Sequence, residues 1–283
     1  MGLMTGTGPL SRSPTGSFNF DTPPAGRSLY IEPTPKRIRV EVDGETIADS
    51  RRALILQESG LQPVYYFRPE DVRTDLFEPT ERHTKCPIKG EASYYSIRVG
   101  EREVKNGAWY YPEPIEGAAR IAGMIAFYWD RVDRWLEEDE EILVHPRDPY
   151  HRIDVLPSSR HVRVSLEGEL LAESTRPIAL FESNLPVRWY VPEEDVVAEL
   201  VPSDTVTYCG YKGRASYYAV DVAGGRSSEL VWCYRAPLSD GTAIKDLLCF
   251  FNERVDIEVD GVSQPRPGTQ WSRGPLGGDD DRS

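Results

Sequence analysis

The sequence has little of several chemistries that commonly identify a protein. Its four cysteines, Cys86, Cys209, Cys233 and Cys249, form no C-x-x-C pair. That excludes zinc knuckles and dithiol redox motifs, and a chain of 283 residues buries a core without disulfides, so reduced thiols and no metal site are expected. Long apolar runs are missing too: the longest mostly apolar stretch, Ile121 to Trp129, is far too short to span a bilayer. The first thirty residues are rich in Gly, Ser, Thr and Pro and hold no apolar segment of the kind a secretory leader needs. Basic residues are outnumbered 33 to 46, and the resulting net charge of −13 repels phosphate backbones. A soluble, cytoplasmic protein with neither a membrane nor a nucleic-acid partner is the expectation. With 39% apolar and 28% charged residues the chain is ordinary globular protein, long enough for two domains.

What is present is an internal repeat. Val40-Glu41-Val42-Asp43-Gly44 matches Val164-Ser165-Leu166-Glu167-Gly168, and Glu58-Ser59 matches Glu182-Ser183, at an offset of 124. One residue is then lost, and from Pro63-Val64 against Pro186-Val187 the offset is mostly 123. It pairs Cys86 with Cys209, Lys89-Gly90 with Lys212-Gly213, Ser93-Tyr94-Tyr95 with Ser216-Tyr217-Tyr218, Trp109 with Trp232 and Tyr111 with Tyr234. A period this long exceeds that of solenoid repeats, so each copy is a complete domain. The expected layout is a disordered tail (1–33), a first domain (34–146), a Pro-punctuated linker (147–157), a second domain (158–264) and a disordered tail (265–283). The two copies are expected to pack as an intramolecular pseudo-dimer.

Each copy begins as β structure. Ile38, Val40 and Val42 alternate with polar residues before the turn Asp43-Gly44, and further strands are expected at Pro63–Phe67, Ala92–Val99 and Ala108–Tyr111. Ile121, Met124, Ile125, Tyr128, Val132 and Trp135 fall at helical spacing, and Ile244, Leu247, Leu248, Phe251 and Val255 largely repeat them. The fold class is therefore mainly β (α+β): several antiparallel strands plus one amphipathic covering helix per domain.

Both copies retain a polar and aromatic set. Cys86-Pro87-Ile88-Lys89-Gly90 and Cys209-Gly210-Tyr211-Lys212-Gly213 place a thiol three residues from an ammonium that would favour thiolate, which makes Cys86 and Cys209 candidate nucleophiles. Their alternative is a buried structural Cys beside a turn Lys. Strand alternation puts Trp109 and Tyr111 on one face, and Trp232 and Tyr234 likewise, while Tyr94 and Tyr95, or Tyr217 and Tyr218, must diverge. With Glu58 or Glu182 accepting a hydrogen bond and Lys89 or Lys212 holding an anionic group, these rings would form a pocket for a flat or sugar-like ligand; their alternative is plain aromatic core. The candidate ligand-binding residues are thus Glu58, Lys89, Tyr94, Tyr95, Trp109, Tyr111, Glu182, Lys212, Tyr217, Tyr218, Trp232 and Tyr234. Histidine is not retained between copies: His83 faces Val206, and His145, His151 and His161 lie in or beside the linker. Arg82-His83-Thr84-Lys85 precedes only the first Cys, so an anion would favour the first domain.

The retained order of Glu-Ser, Pro-Val, Cys-x-x-Lys-Gly, Ser-Tyr-Tyr and Trp-x-Tyr resembles, twice over, the bacterial and fungal family called domain of unknown function 427. The resemblance covers nearly all of both repeats and implies a β-tent-like fold. It also carries a nucleotidyltransferase label, which would bring magnesium as cofactor. Inside either repeat there is no GxxxxGK[ST] run and no Asp-x-Asp pair, so the residues add little to that label. Three readings follow: a small-molecule pocket in each repeat without a predicted cofactor, a nucleotidyltransferase, or a noncatalytic interaction module.

Overall fold

In a computed structural model, which describes residues 2–21, 28–222 and 225–273, the chain divides into two units, 1–150 and 151–283. Each contains the same eleven strands. In the first they are β1 (Leu29–Pro33), β2 (Ile38–Val42), β3 (Glu45–Ser50), β4 (Leu54–Glu58), β5 (Val64–Tyr66), β6 (Phe77–Cys86), β7 (Gly90–Val99), β8 (Arg102–Tyr110), β9 (Ile125–Phe127), β10 (Arg134–Glu137) and β11 (Glu140–Glu141). In the second they are β12 (Ile153–Pro157), β13 (Val162–Leu166), β14 (Glu169–Ser174), β15 (Ile178–Glu182), β16 (Arg188–Val191), β17 (Leu200–Cys209), β18 (Gly213–Val222), β19 (Gly225–Cys233), β20 (Leu248–Phe250), β21 (Asp256–Val259) and β22 (Val262–Ser263). No described helix is long and apolar enough to cross a membrane.

Every ladder is antiparallel. The second unit has a seven-stranded sheet, β12-β15-β16-β20-β19-β18-β17, and a four-stranded one, β14-β13-β21-β22. The first unit repeats this order, but its long sheet is cut between β5 and β9, where the single bridge Phe67–Ile125 stands in for the two pairs Tyr190–Cys249 and Val191–Leu248. The Asp43-Gly44 hairpin has positive φ at both residues (50° and 77°), and the weaker Glu167-Gly168 turn matches it (53° and 85°).

The long sheet is buried on both faces. Ile55, Tyr65, Phe67, Ile125 and Phe127 point toward the four-stranded sheet and pack with Ile38, Val40, Ile47 and Trp135. The intervening Leu56, Tyr66 and Ala126 point the other way, into a second cluster with Tyr94, Tyr111 and Ile121. That second face carries the site.

The expected covering helices do not form: among the described residues the only helical segments are short 3-10 turns. Residues 116–137 run as a 3-10 turn (Glu116–Ile121), then β9, then another turn (Trp129–Arg131), then β10. Two causes produced the wrong reading. A strand buried on both faces gives a continuous apolar run that periodicity cannot separate from a helix. The chain also turns sharply, at Gly123 (φ 66°) in the first repeat and at Asp246 (φ 62°) in the second.

The domain edges shift as well. β1 and β12 belong to the fold, pairing with β4 and β15, although they fall in the expected tail and linker. Pro157, read as linker punctuation, ends an edge strand, as Pro33 does in the first unit, where a missing N–H is tolerated. Part of the N-terminal segment packs too: Met4 is buried, its carbonyl accepts Gly60 N at 2.8 Å, and Ser59 Oγ donates to the Leu10 carbonyl at 2.7 Å. Residues 265–273 likewise pack within the second unit, where Arg266 bonds Asp256 and Thr269 bonds Glu253. The remaining tail residues, 1, 22–27 and 274–283, lie outside the described set.

Candidate functional site

The Cys-x-x-Lys-Gly segment closes the hairpin between β6 and β7, and its counterpart closes the one between β17 and β18. Gly90 and Gly213 open the return strands at φ 106° and 94°, a backbone region that favours glycine. The Lys89 carbonyl accepts Ile115 N at 3.1 Å and the Lys212 carbonyl accepts Leu238 N at 3.1 Å. These backbone bonds anchor the lysine against the chain that follows β8 or β19. A Cβ on Gly213 would also meet Leu238 N at 3.3 Å. Gly213→Ala is therefore expected to cost the second unit about 1–2 kcal/mol, readable as an earlier urea midpoint.

Each lysine ends on a carboxylate. Lys89 bonds Glu58 at the end of β4, and Lys212 bonds Glu182 at the end of β15. The second pair is the more buried, with Lys212 at 7% and Glu182 at 9% exposure. It also gains a third member, because His151 Nε2 lies 3.0 Å from Glu182 Oε1. An ionised carboxylate only accepts, so Nε2 carries the proton. The His151 ring is stacked on Tyr211, with centroids 3.9 Å apart. Burial alone would raise the Glu182 pKa, but the Lys212 charge and the hydrogen bonds from His151 and Lys212 outweigh it and hold the carboxyl at about 2. Burial likewise pulls Lys212 down, and Glu182 more than offsets it, leaving the ammonium above its usual value.

Aromatic rings wall the space above each pair. Trp109 Nε1 donates to Tyr66 OH at 3.3 Å, and Trp232 Nε1 donates to Tyr190 OH at 3.1 Å. Tyr94 OH sits 2.7 Å from Thr84 Oγ1, and Tyr217 OH 2.6 Å from Thr207 Oγ1. Trp109 packs on Tyr128 at 4.6 Å between centroids, and Trp232 on Phe251 at 4.5 Å. Burial pushes the phenols of Tyr66, Tyr111, Tyr190 and Tyr234 well above their ordinary range, so they stay neutral. The pockets measure about 220 Å³ in the first unit and about 350 Å³ in the second.

Both segments, residues 30–138 and 154–261, match the family described as domain of unknown function (DUF427). The chain belongs to this family. A comparison with curated proteins gives no match.

Within this tandem member of the DUF427 family, Glu58, Lys89, Tyr94, Trp109 and Tyr111 come together in the first pocket, and Glu182, Lys212, Tyr217, Trp232 and Tyr234 in the second. Tyr95 and Tyr218 do not join them. Strand alternation turns them to the opposite face, where Tyr95 stacks on Tyr110 and Tyr218 OH accepts Arg235 Nη2 at 2.6 Å. The cysteines part company too. Cys209 lines the second pocket beside the Lys212 ammonium, whereas Cys86 packs at the edge of the apolar cluster and is absent from the first pocket's lining. Of the basic stretch before Cys86, Arg82 reaches a pocket ring, its Cζ 4.7 Å from the Tyr94 centroid, and the stretch is otherwise exposed.

Several residues of the site were missed in the sequence. Tyr66 and Tyr190 are the indole acceptors, Tyr128 and Phe251 are stacking partners, and Arg188, Trp271 and His151 belong to the second unit alone. Arg188 is held by a fork to Glu253, with Nη2–Oε1 at 2.7 Å and Nη1–Oε2 at 2.8 Å. A larger groove of about 410 Å³, lined by Leu156, Phe181, Trp189 and Pro265, lies elsewhere on the second unit. Its Arg160 is paired with Asp260 and its Asn252 with Arg188, and it contains none of the retained polar set.

The fit to magnesium is poor. Among the described residues each pocket offers one lining carboxylate, Glu58 or Glu182, and each is already neutralised by lysine.

Proposed function

We propose that each repeat binds a small, flat, uncharged polar molecule, its ring against the Trp109 or Trp232 wall and its polar edge toward the Glu–Lys pair. The observation that carries this is the doubled arrangement: a cavity bounded by an indole fixed on a tyrosine hydroxyl, beside a mutually neutralised carboxylate and ammonium, half-buried in the first repeat and buried in the second. Neutralisation decides the ligand's charge, because an anion would have to displace the glutamate from its lysine. The anionic alternative thereby loses to the flat one. The transferase reading finds no unpaired carboxylate for magnesium among the described residues that line either pocket. The interaction-module reading would be favoured by a solidly packed aromatic face with Lys89 in solvent; the cavity and the half-buried, Glu58-paired Lys89 weigh against it.

A thermal-shift screen of nucleosides, free bases, sugars and acidic metabolites tests this. A neutral ring compound at a hundred times its Kd adds about 2.7 kcal/mol, a shift of roughly 5 °C or more. Trp109→Ala combined with Trp232→Ala should abolish that shift. A hit among acidic metabolites alone, or one insensitive to both substitutions, overturns the proposal.

A further inference from the structure

The second pocket has a component from outside the repeated fold. Gln270 and Trp271, on the 3-10 turn Gln270–Arg273, join its lining, although the family match ends at residue 261. The described lining of the first pocket runs only from Leu56 to Tyr128, within its own repeat. Trp271 packs against the aromatic cluster of the second pocket, and its ring centroid lies 5.7 Å from the Arg188 guanidinium, which lies 5.4 Å from Trp232. The Thr269 hydroxyl donates to Glu253 Oε1 at 2.6 Å and accepts Trp271 N at 3.1 Å, so one side chain ties the turn to the repeat. Trp271 is half-buried while its neighbours Gln270, Ser272 and Arg273 are exposed, which places it at the rim.

We propose that Trp271 is a ligand-contacting wall that closes the second pocket, and that it makes this pocket the site for a larger planar ring than the first one takes. The inference rests on the binding reading above. Three differences support it. The second cavity is larger, about 350 against 220 Å³. Phe251 stands where the first pocket has the hydroxyl-bearing Tyr128. Trp271 then adds an indole that the first pocket lacks among its described residues, and a flat heteroaromatic ring is the partner that gains most from another stacking surface. The wall can also lift. Described residues after Gln264 are tied to the repeat by side chains, Arg266 on Asp256 and Thr269 on Glu253, and not by a strand ladder.

The thiol of Cys209 reports on this closure without any identified ligand. The full chain is treated with limiting iodoacetamide, and alkylation of Cys209 and Cys86, both half-buried, is followed by peptide mass spectrometry. Trp271→Ala is expected to raise the Cys209-to-Cys86 rate ratio about tenfold. Trp271→Phe should keep most of the protection, and Thr269→Val, which leaves the ring and removes its tether, should raise the ratio several-fold. The buried Cys233 and Cys249 stay unlabelled in a folded variant. An unchanged ratio in both Trp271→Ala and Thr269→Val overturns the wall. A raised ratio with no hit in the ligand screen leaves the wall standing and removes the binding reading instead.

Discussion

Glu182→Ala is expected to destabilise the second unit by about 3–5 kcal/mol, because it leaves the Lys212 ammonium buried without a counter-charge. The penalty is desolvation of a stranded ion, because the Lys212 side chain is buried among the residues that line the pocket. His151 loses its carboxylate partner in the same step. Calorimetry of the full chain should show the second unit's transition falling while the first unit's stays in place. Acid gives an independent check. Glu182 is held at about 2 against an ordinary 4.5, so its stabilisation is complete above the unfolded value and is lost as pH falls from 4.5 through 2. The gap between wild type and Glu182→Ala should therefore narrow over that window. A gap that stays constant from pH 6 to pH 2 would mean that the pair does not contribute as an ion pair. Replacing both partners, as in Glu182→Leu with Lys212→Met, should cost less than Glu182→Ala alone, since no charge is stranded.

Much of this site was legible in the sequence because the chain contains it twice. The comparison isolated Glu58, Lys89, Trp109 and Tyr111 with their partners, and strand alternation correctly required Tyr94 and Tyr95 to part. The losses have specific causes. An offset of 123 from Pro63 onward sets Tyr66 against Trp189 and conceals the indole acceptor. In the structure the offset of 124 persists through Tyr66 and Tyr190 and through the bridges Ala48–Val72 and Ala172–Val196. One residue is lost from the second copy only in the following connection, before β6 and β17. His151 looked like linker because its contact depends on β12 pairing with β15, whose register sets Ile153 opposite Glu182. Trp271 lies beyond the repeat, where self-comparison sees nothing. The false helix came from a sheet buried on both faces, whose apolar runs carry no period of two.

The Arg188–Glu253 fork gives the second large effect, and it distinguishes the two copies. At the 124 offset Arg188 corresponds to Val64, so the first pocket has an apolar side chain where the second has a guanidinium. Burial opposes the Arg188 charge, and the bond to Glu253 more than restores it. Glu253→Ala strands that charge beside Trp232 and also unties Thr269, so a loss of about 3–5 kcal/mol is expected in the second unit. Adding Arg188→Val to Glu253→Ala should recover part of the loss, because the pocket then carries the valine that the first repeat tolerates and no unpaired ion remains. A urea-denaturation double-mutant cycle measures this directly. The decisive quantity is its sign: the double variant must be more stable than Glu253→Ala. If it is less stable, Arg188 holds the pocket through packing on Trp232 and Trp271 rather than through its charge, and the difference between the two pockets is one of shape.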